Sequence, residues 1–150
     1  MKYLIRVTLE SKEDIISEIE INSDEKLVDL HNYLIKIFDL DIKELASFFT
    51  VDNDLVIQQE IPLFSFEENN PKMEDFKLEN LLFKKNDKLI YLFDYMKMWR
   101  FLVELIDFQE GITKKRCTME IGKVPKKAPE VIFSNDFIND SRDEENEEYY

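Results

Sequence analysis

Two phenols, a carboxyl, an indole and a guanidinium crowd into one short stretch, where Tyr91, Asp94, Tyr95, Trp99 and Arg100 lie within KLIYLFDYMKMWRF, Lys88 to Phe101. A carboxyl set among aromatics can carry a raised pKa and act as a general acid, and aromatic walls can hold a small ligand. Two physical points weigh against that chemistry. A strand-end Asp also caps a turn by accepting from backbone N–H groups, which is the simpler role for Asp94. Trp99 and Arg100, adjacent on a strand, point to opposite faces and cannot sandwich one ligand, so Trp99 reads as core or groove wall.

Other reactive groups are sparse. The single histidine, His31, falls on the apolar stripe between Leu27 and Leu34, where a packed, hydrogen-bonded core residue is expected rather than a base. With one Cys, Cys117, beside that one His, neither a zinc site of ordinary spacing nor an internal disulfide can form. Asp52, Asn53 and Asp54 open like a calcium loop, but Ile57 and Leu63 stand where its glycine and glutamate belong. Asp39, Asp41 and Glu44 could gather around a hard cation, yet acids at a helix end are ordinarily just solvated. Gly111 and Gly122 are the only glycines, which excludes a Gly-rich phosphate loop. No metal and no cofactor is expected.

The elements that must position these groups follow from periodicity. Tyr3, Ile5, Val7 and Leu9 alternate with more polar neighbours as a half-buried strand does, and Ile15, Ile19 and Ile21 continue the pattern after a polar turn, predicting a hairpin. Ser23 is placed to cap an amphipathic helix carrying Leu27, Leu30, Leu34, Ile37 and Phe38. Residues 47–51 read as a short buried strand, followed by an irregular acidic stretch with Pro62 and Pro71 and a helical turn at Leu78, Leu81 and Leu82. The apolar run 89–93 predicts a central strand, and Trp99, Phe101, Val103 and Leu105 predict its hairpin partner. The order strand, strand, helix, strand, short helix, strand, strand implies an α+β domain, with one main amphipathic helix on a mixed, β-grasp-like sheet.

Its 150 residues fit one domain, spanning 1–110, with a core that needs no staple. Beyond it lies a basic C-terminal extension, 111–135, and an acidic tail, 136–150, whose seven acids against Arg142 mark it as disordered. Lys114, Lys115, Arg116, Lys123, Lys126 and Lys127 make the only basic island, expected as a solvated loop or a partner-docking strip. The net charge of −13 repels phosphate backbones and disfavours direct DNA or RNA binding. Neither a leader nor an apolar run near the roughly 20 residues of a membrane span stands out, so a cytoplasmic setting is expected.

Lys88, Tyr91, Phe93, Asp94, Tyr95 and Trp99 fall in the spacing K-x-x-Y-x-Y-D-F-G-D-x-W-x-H, Leu27, Leu30 and His31 fit L-x-D-L-H, and Leu45 with Phe48 fits H-L-x-x-F. On these motifs the chain resembles the plasmid Ri ORF-three-like family, often labelled insertion-element passenger or TnpR-like. SFFTVDND, LFDY, VEL and CTMEIGKVP are similar to a Bacteroidetes-type branch of it. The resemblance implies a compact α+β domain and brings no established activity. Met96 and Lys97 replace the motif's Gly and Asp, while Phe101 and Glu44 replace its histidines. A site built on those polar groups is therefore not expected here. The TnpR label suggests a resolvase, and Arg6-Val7-Thr8 is similar to a serine recombinase start, but strand alternation already explains these residues and the net charge opposes DNA docking.

These features favour a non-enzymatic interaction module whose acidic face and tail engage a basic protein, with the sheet groove near Asp94 and Trp99 as a second candidate surface. The rival is a small-ligand binder or enzyme using Tyr91, Asp94, Tyr95, Trp99 and Arg100 around a pocket near Asp94. A nucleic-acid or mobile-element accessory acting through the basic island is the third reading.

Overall fold

A computed structural model describes residues 1–124. Seven strands, β1 (Lys2–Leu9), β2 (Ile16–Asn22), β3 (Ala46–Val51), β4 (Ile57–Pro62), β5 (Lys88–Phe93), β6 (Trp99–Gln109) and β7 (Arg116–Ile121), form one sheet in the order β4-β3-β5-β6-β1-β2-β7. Among the described residues a single helix, α1 (Leu27–Phe38), packs on one face, and single 3-10 turns occupy Met73–Asp75 and Leu78–Asn80. The protein is thus α+β and strand-dominated.

All six strand pairings are antiparallel, which corrects the expected mixed sheet. Hairpins join β1 to β2, β3 to β4 and β5 to β6, and both neighbours of β1 run antiparallel to it, unlike the mixed pairing that prompted the β-grasp comparison. Two strands were not anticipated. β4 carries Gln58, Gln59 and Glu60, all exposed, because it is an edge strand with little to bury. β7 pairs with β2 inside the basic stretch expected as a loop, its alternation masked by charged residues on the opposite edge of the sheet.

The core lies between α1 and one sheet face. Ile5, Val7, Ile19, Ile21, Phe48, Tyr91, Phe101, Val103 and Leu105 meet Leu27, Leu30, Leu34 and Phe38 of the helix. A twelve-residue helix is marginal alone, so burial of these leucines, worth about 2 kcal/mol each, holds it in place. Its N-cap is Lys26 instead of the expected Ser23: the Asp29 carboxylate accepts from the Lys26 N–H at 2.9 Å. Ser23 is buried one turn earlier and donates to Glu79. Ion pairs tie the last described strand back to the body, with Arg116 2.8 Å from Glu20 and Lys115 3.0 Å from Glu25.

Candidate functional site

The β5–β6 turn fixes Asp94 through its own backbone. Its N–H donates to the Leu45 carbonyl at 2.8 Å, its carbonyl accepts from Lys97 and Met98, and its φ of 64° is left-handed, a conformation Asp tolerates better than most residues. The carboxylate Oδ1 accepts from the Met96 N–H at 3.0 Å and the Lys97 N–H at 3.2 Å. Asp94, 5% exposed, is therefore a turn cap, as the simpler reading of the sequence has it.

That turn also walls a concavity of about 260 Å3, lined by Phe38, Asp39, Leu40, Asp41, Glu44, Phe93, Asp94, Lys97, Trp99 and Val124. The end of α1 builds the opposite wall. Asp39 closes the helix in the left-handed conformation, with a φ of 53°, and Asp41 caps the following turn by accepting from the Lys43 N–H at 2.9 Å. The helix C-terminus adds its own partial negative charge on this side. Four carboxylates thus surround an apolar floor, with Lys97 as the one base in the lining. Among the described residues no group of three His, Cys, Asp or Glu side chains converges closely enough to hold a metal ion, so the acids at 39, 41 and 44 do not form a cation cage.

Of the five residues singled out in this stretch, the structure brings only Asp94 and Trp99 together in the concavity. Tyr91 faces the helix-covered core: its hydroxyl shares a 2.7 Å hydrogen bond with His31 Nδ1, and its ring packs on Phe48 and Phe101. Burial lowers the His31 pKa to about 4 and raises that of Tyr91, so both are neutral near pH 7. His31 is the hydrogen-bonded core residue its helical position implied. Tyr95 turns to the other sheet face, where its hydroxyl meets Ser47, which in turn donates to Glu60 at 2.6 Å. Burial raises the Tyr95 pKa. Arg100 lies on that same far face, 3.7 Å from Glu10, whose pKa burial raises against the pull of the guanidinium.

Sequence reasoning missed the Ser47, Glu60 and Tyr95 network, because Glu60 belongs to the unanticipated edge strand. It also missed that Lys97 and Val124 join the helix-end acids; no local spacing links residues 39–44 to Val124. In the basic island, Lys115 lies over the Tyr33 ring at 5.5 Å and pairs with Glu25, Arg116 pairs with Glu20, and Lys114 and Lys123 are exposed. Lys126, Lys127 and the acidic tail lie outside the described residues. Among the described residues no helix is long and apolar enough to cross a membrane.

The fold is similar to a crystal structure of a protein of unknown function, MM3350, from Methanosarcina mazei Go1, with a TM-score of 0.65 at 19% identity over 79% of this chain and 68% of that one. That likeness supports the α+β architecture alone. No curated protein matches the sequence. The family model described as plasmid pRiA4b ORF-3-like protein matches residues 1–150 in full, and the chain belongs to that family.

Proposed function

We propose that this chain is a non-enzymatic, cytoplasmic protein-interaction module that binds a basic partner at the acidic concavity between the end of α1 and the Asp94 turn. The observation that carries the reading is the composition of that concavity: Asp39, Asp41, Glu44 and Asp94 against Lys97, around Phe38, Phe93 and Trp99. A lysine or arginine side chain from the partner suits both parts, its charge answering the carboxylates and its stem lying on the aromatic floor. The chain's net charge of −13 would steer such a partner from a distance, raising the association rate more than the affinity. The separation of Tyr91, Tyr95 and Arg100 from Asp94 leaves an enzyme reading without a constellation of reactive groups.

Trp99 is the only tryptophan in the chain and lines the site, so its emission reports occupancy directly. Titration with a lysine- and arginine-rich peptide is expected to change that emission saturably, with weakening as salt rises and loss in Asp41→Lys, Glu44→Lys. An acidic peptide of equal length binding as well would overturn the reading. A second reading, a small organic cation in the same concavity, draws on the same carboxylates and aromatic floor. Its volume lies below the roughly 300 Å3 at which small-molecule pockets usually begin. A nucleic-acid role through the basic island finds less support, since Lys115 and Arg116 are engaged by Glu25 and Glu20.

A further inference from the structure

The sheet face opposite α1 carries no helix among the described residues, and an antiparallel sheet with one wet face ordinarily shows polar side chains there. This face instead carries a row across six strands that is apolar on five of them, with Thr8 on β1. Residues directly opposite in antiparallel pairs share a face, so the register sets Phe49, Ile90, Leu102, Thr8, Ile16 and Ile121 side by side. Phe49, Leu102, Thr8 and Ile16 are half-buried and Ile121 is exposed, while Ile90 at the middle of β5 is already buried by its neighbours. The neighbouring row reads Lys88, Glu104, Arg6, Glu18, alternating in sign across β5, β6, β1 and β2. Within the chain Arg6 pairs with Glu18 at 2.8 Å and Lys88 with Glu104 at 3.8 Å, and all four side chains still reach solvent.

The sign pattern has a symmetry. Reversed end to end, plus-minus-plus-minus becomes minus-plus-minus-plus, so the row complements a turned copy of itself. We propose that this open face packs on the same face of a second copy of the chain, about a two-fold axis parallel to the strands and lying over the β6–β1 boundary. That operation stacks Glu104 over Arg6 of the other copy and Lys88 over its Glu18, while in the apolar row Leu102 meets Thr8, Ile90 meets Ile16 and Phe49 meets Ile121. The contact is isologous, as closed dimers require, with the two sheets near the aligned orientation of a β-sandwich. Because the charges already have partners within each sheet, the dimer extends a network instead of burying unpaired ions. Six strands at about 4.8 Å spacing and two rows about 7 Å apart give about 400 Å2 per copy, the size of a weak, concentration-dependent contact. The net charge of −13 per chain opposes association at long range, so the dimer strengthens as salt is raised from low to physiological.

Light scattering on the full chain over a micromolar-to-millimolar series at physiological salt is expected to show the mass doubling from 18.1 kDa. Leu102→Glu and Ile16→Lys, both on the open face, each weaken dimerisation at least tenfold while keeping the wild-type circular dichroism, and the wild-type thermal transition at concentrations low enough for both to be monomeric. A third readout needs no substitution. Lys88 and Glu18 sit three strand spacings apart in one chain, about 14 Å, too far for a zero-length carbodiimide link within it. The covalent dimer is therefore expected to contain a Lys88–Glu18 bond by mass spectrometry. A chain that stays at 18.1 kDa throughout overturns the proposal, as does a covalent dimer lacking that link, or folded Leu102→Glu and Ile16→Lys that dimerise like wild type.

Discussion

Acidifying the solution should destabilise this protein through one buried ring. His31 is 1% exposed, bonded to Tyr91, and held by burial at a pKa of about 4 instead of its ordinary 6.5. In the unfolded chain the ring titrates near 6.5, so between these values the unfolded state binds more protons than the folded one. Stability is complete above pH 6.5 and falls with pH until about pH 4, below which the ring adds no further slope. From pH 7.5 to 4.5 that loss integrates to about 2.5 kcal/mol, or roughly 5–10 °C in Tm for a chain of this size. The carboxylates with lowered pKa values, Glu20 through its hydrogen bond from Arg116, Asp87 where burial is outweighed by hydrogen bonds from Phe83 and Lys84, and Asp107 through the Phe108 N–H, lose their contribution as pH falls through the ordinary carboxylate range, so they begin to act only at the acid end of this window. Glu10, raised by burial, acts in the opposite sense, so the comparison must be differential. Urea unfolding of wild type and His31→Gln at four pH values, with protein concentration held fixed, isolates the ring. His31→Gln should be less stable at pH 7.5 yet lose about 2.5 kcal/mol less than wild type on going to pH 4.5. Parallel pH profiles would refute the assignment.

Other substitutions test single contacts. Gly122→Ala sets a Cβ 2.4 Å from the Asp14 carbonyl oxygen at a φ of 75°, and should cost about 2 kcal/mol or more in urea unfolding. Asp94→Ala strips the acceptor from two turn N–H groups and should cost about 1–3 kcal/mol, whereas Asp94→Asn, which keeps an oxygen and tolerates the left-handed backbone, should stay within about 1 kcal/mol of wild type. Equal losses from the two would mean that the negative charge, not the turn cap, is what Asp94 supplies. Tyr91→Phe removes the hydroxyl bonded to His31 and should destabilise by about 1–2 kcal/mol by calorimetry, with the far-ultraviolet dichroism unchanged.

The strands and helix were legible where burial imposes a period. β1 alternates throughout and β6 from Trp99 to Leu105 because one face is covered, and α1 shows its stripe because the other face is wet. β4 was illegible for the converse reason: only Ile61 of its six residues is buried. Its turn was nevertheless visible as Asp52-Asn53-Asp54, weighed as an incomplete calcium loop, and Asp52 Oδ1 in fact accepts from the Asp54 and Val56 N–H groups to close the hairpin. The antiparallel sense of the whole sheet depends on β6 returning beside β1, a long-range pairing that no local pattern encodes. At the site, Asp94 and Trp99 were found through their aromatic setting, but Tyr91 and Tyr95 diverge because Asp94 breaks the alternation with a left-handed residue between them. The helix-end acids could be seen as a cluster, while their meeting with the β5–β6 turn is a product of how α1 crosses the sheet.

The claim that the acidic concavity receives a basic partner is tested most directly by a proton–nitrogen correlation NMR titration with the lysine- and arginine-rich peptide. Saturable shifts are expected at the amides of Asp39, Asp41, Glu44, Met96 and Lys97 and at the Trp99 indole, all abolished by Asp41→Lys, Glu44→Lys. Shifts confined to residues elsewhere in the chain, or unchanged by that charge reversal, would contradict it.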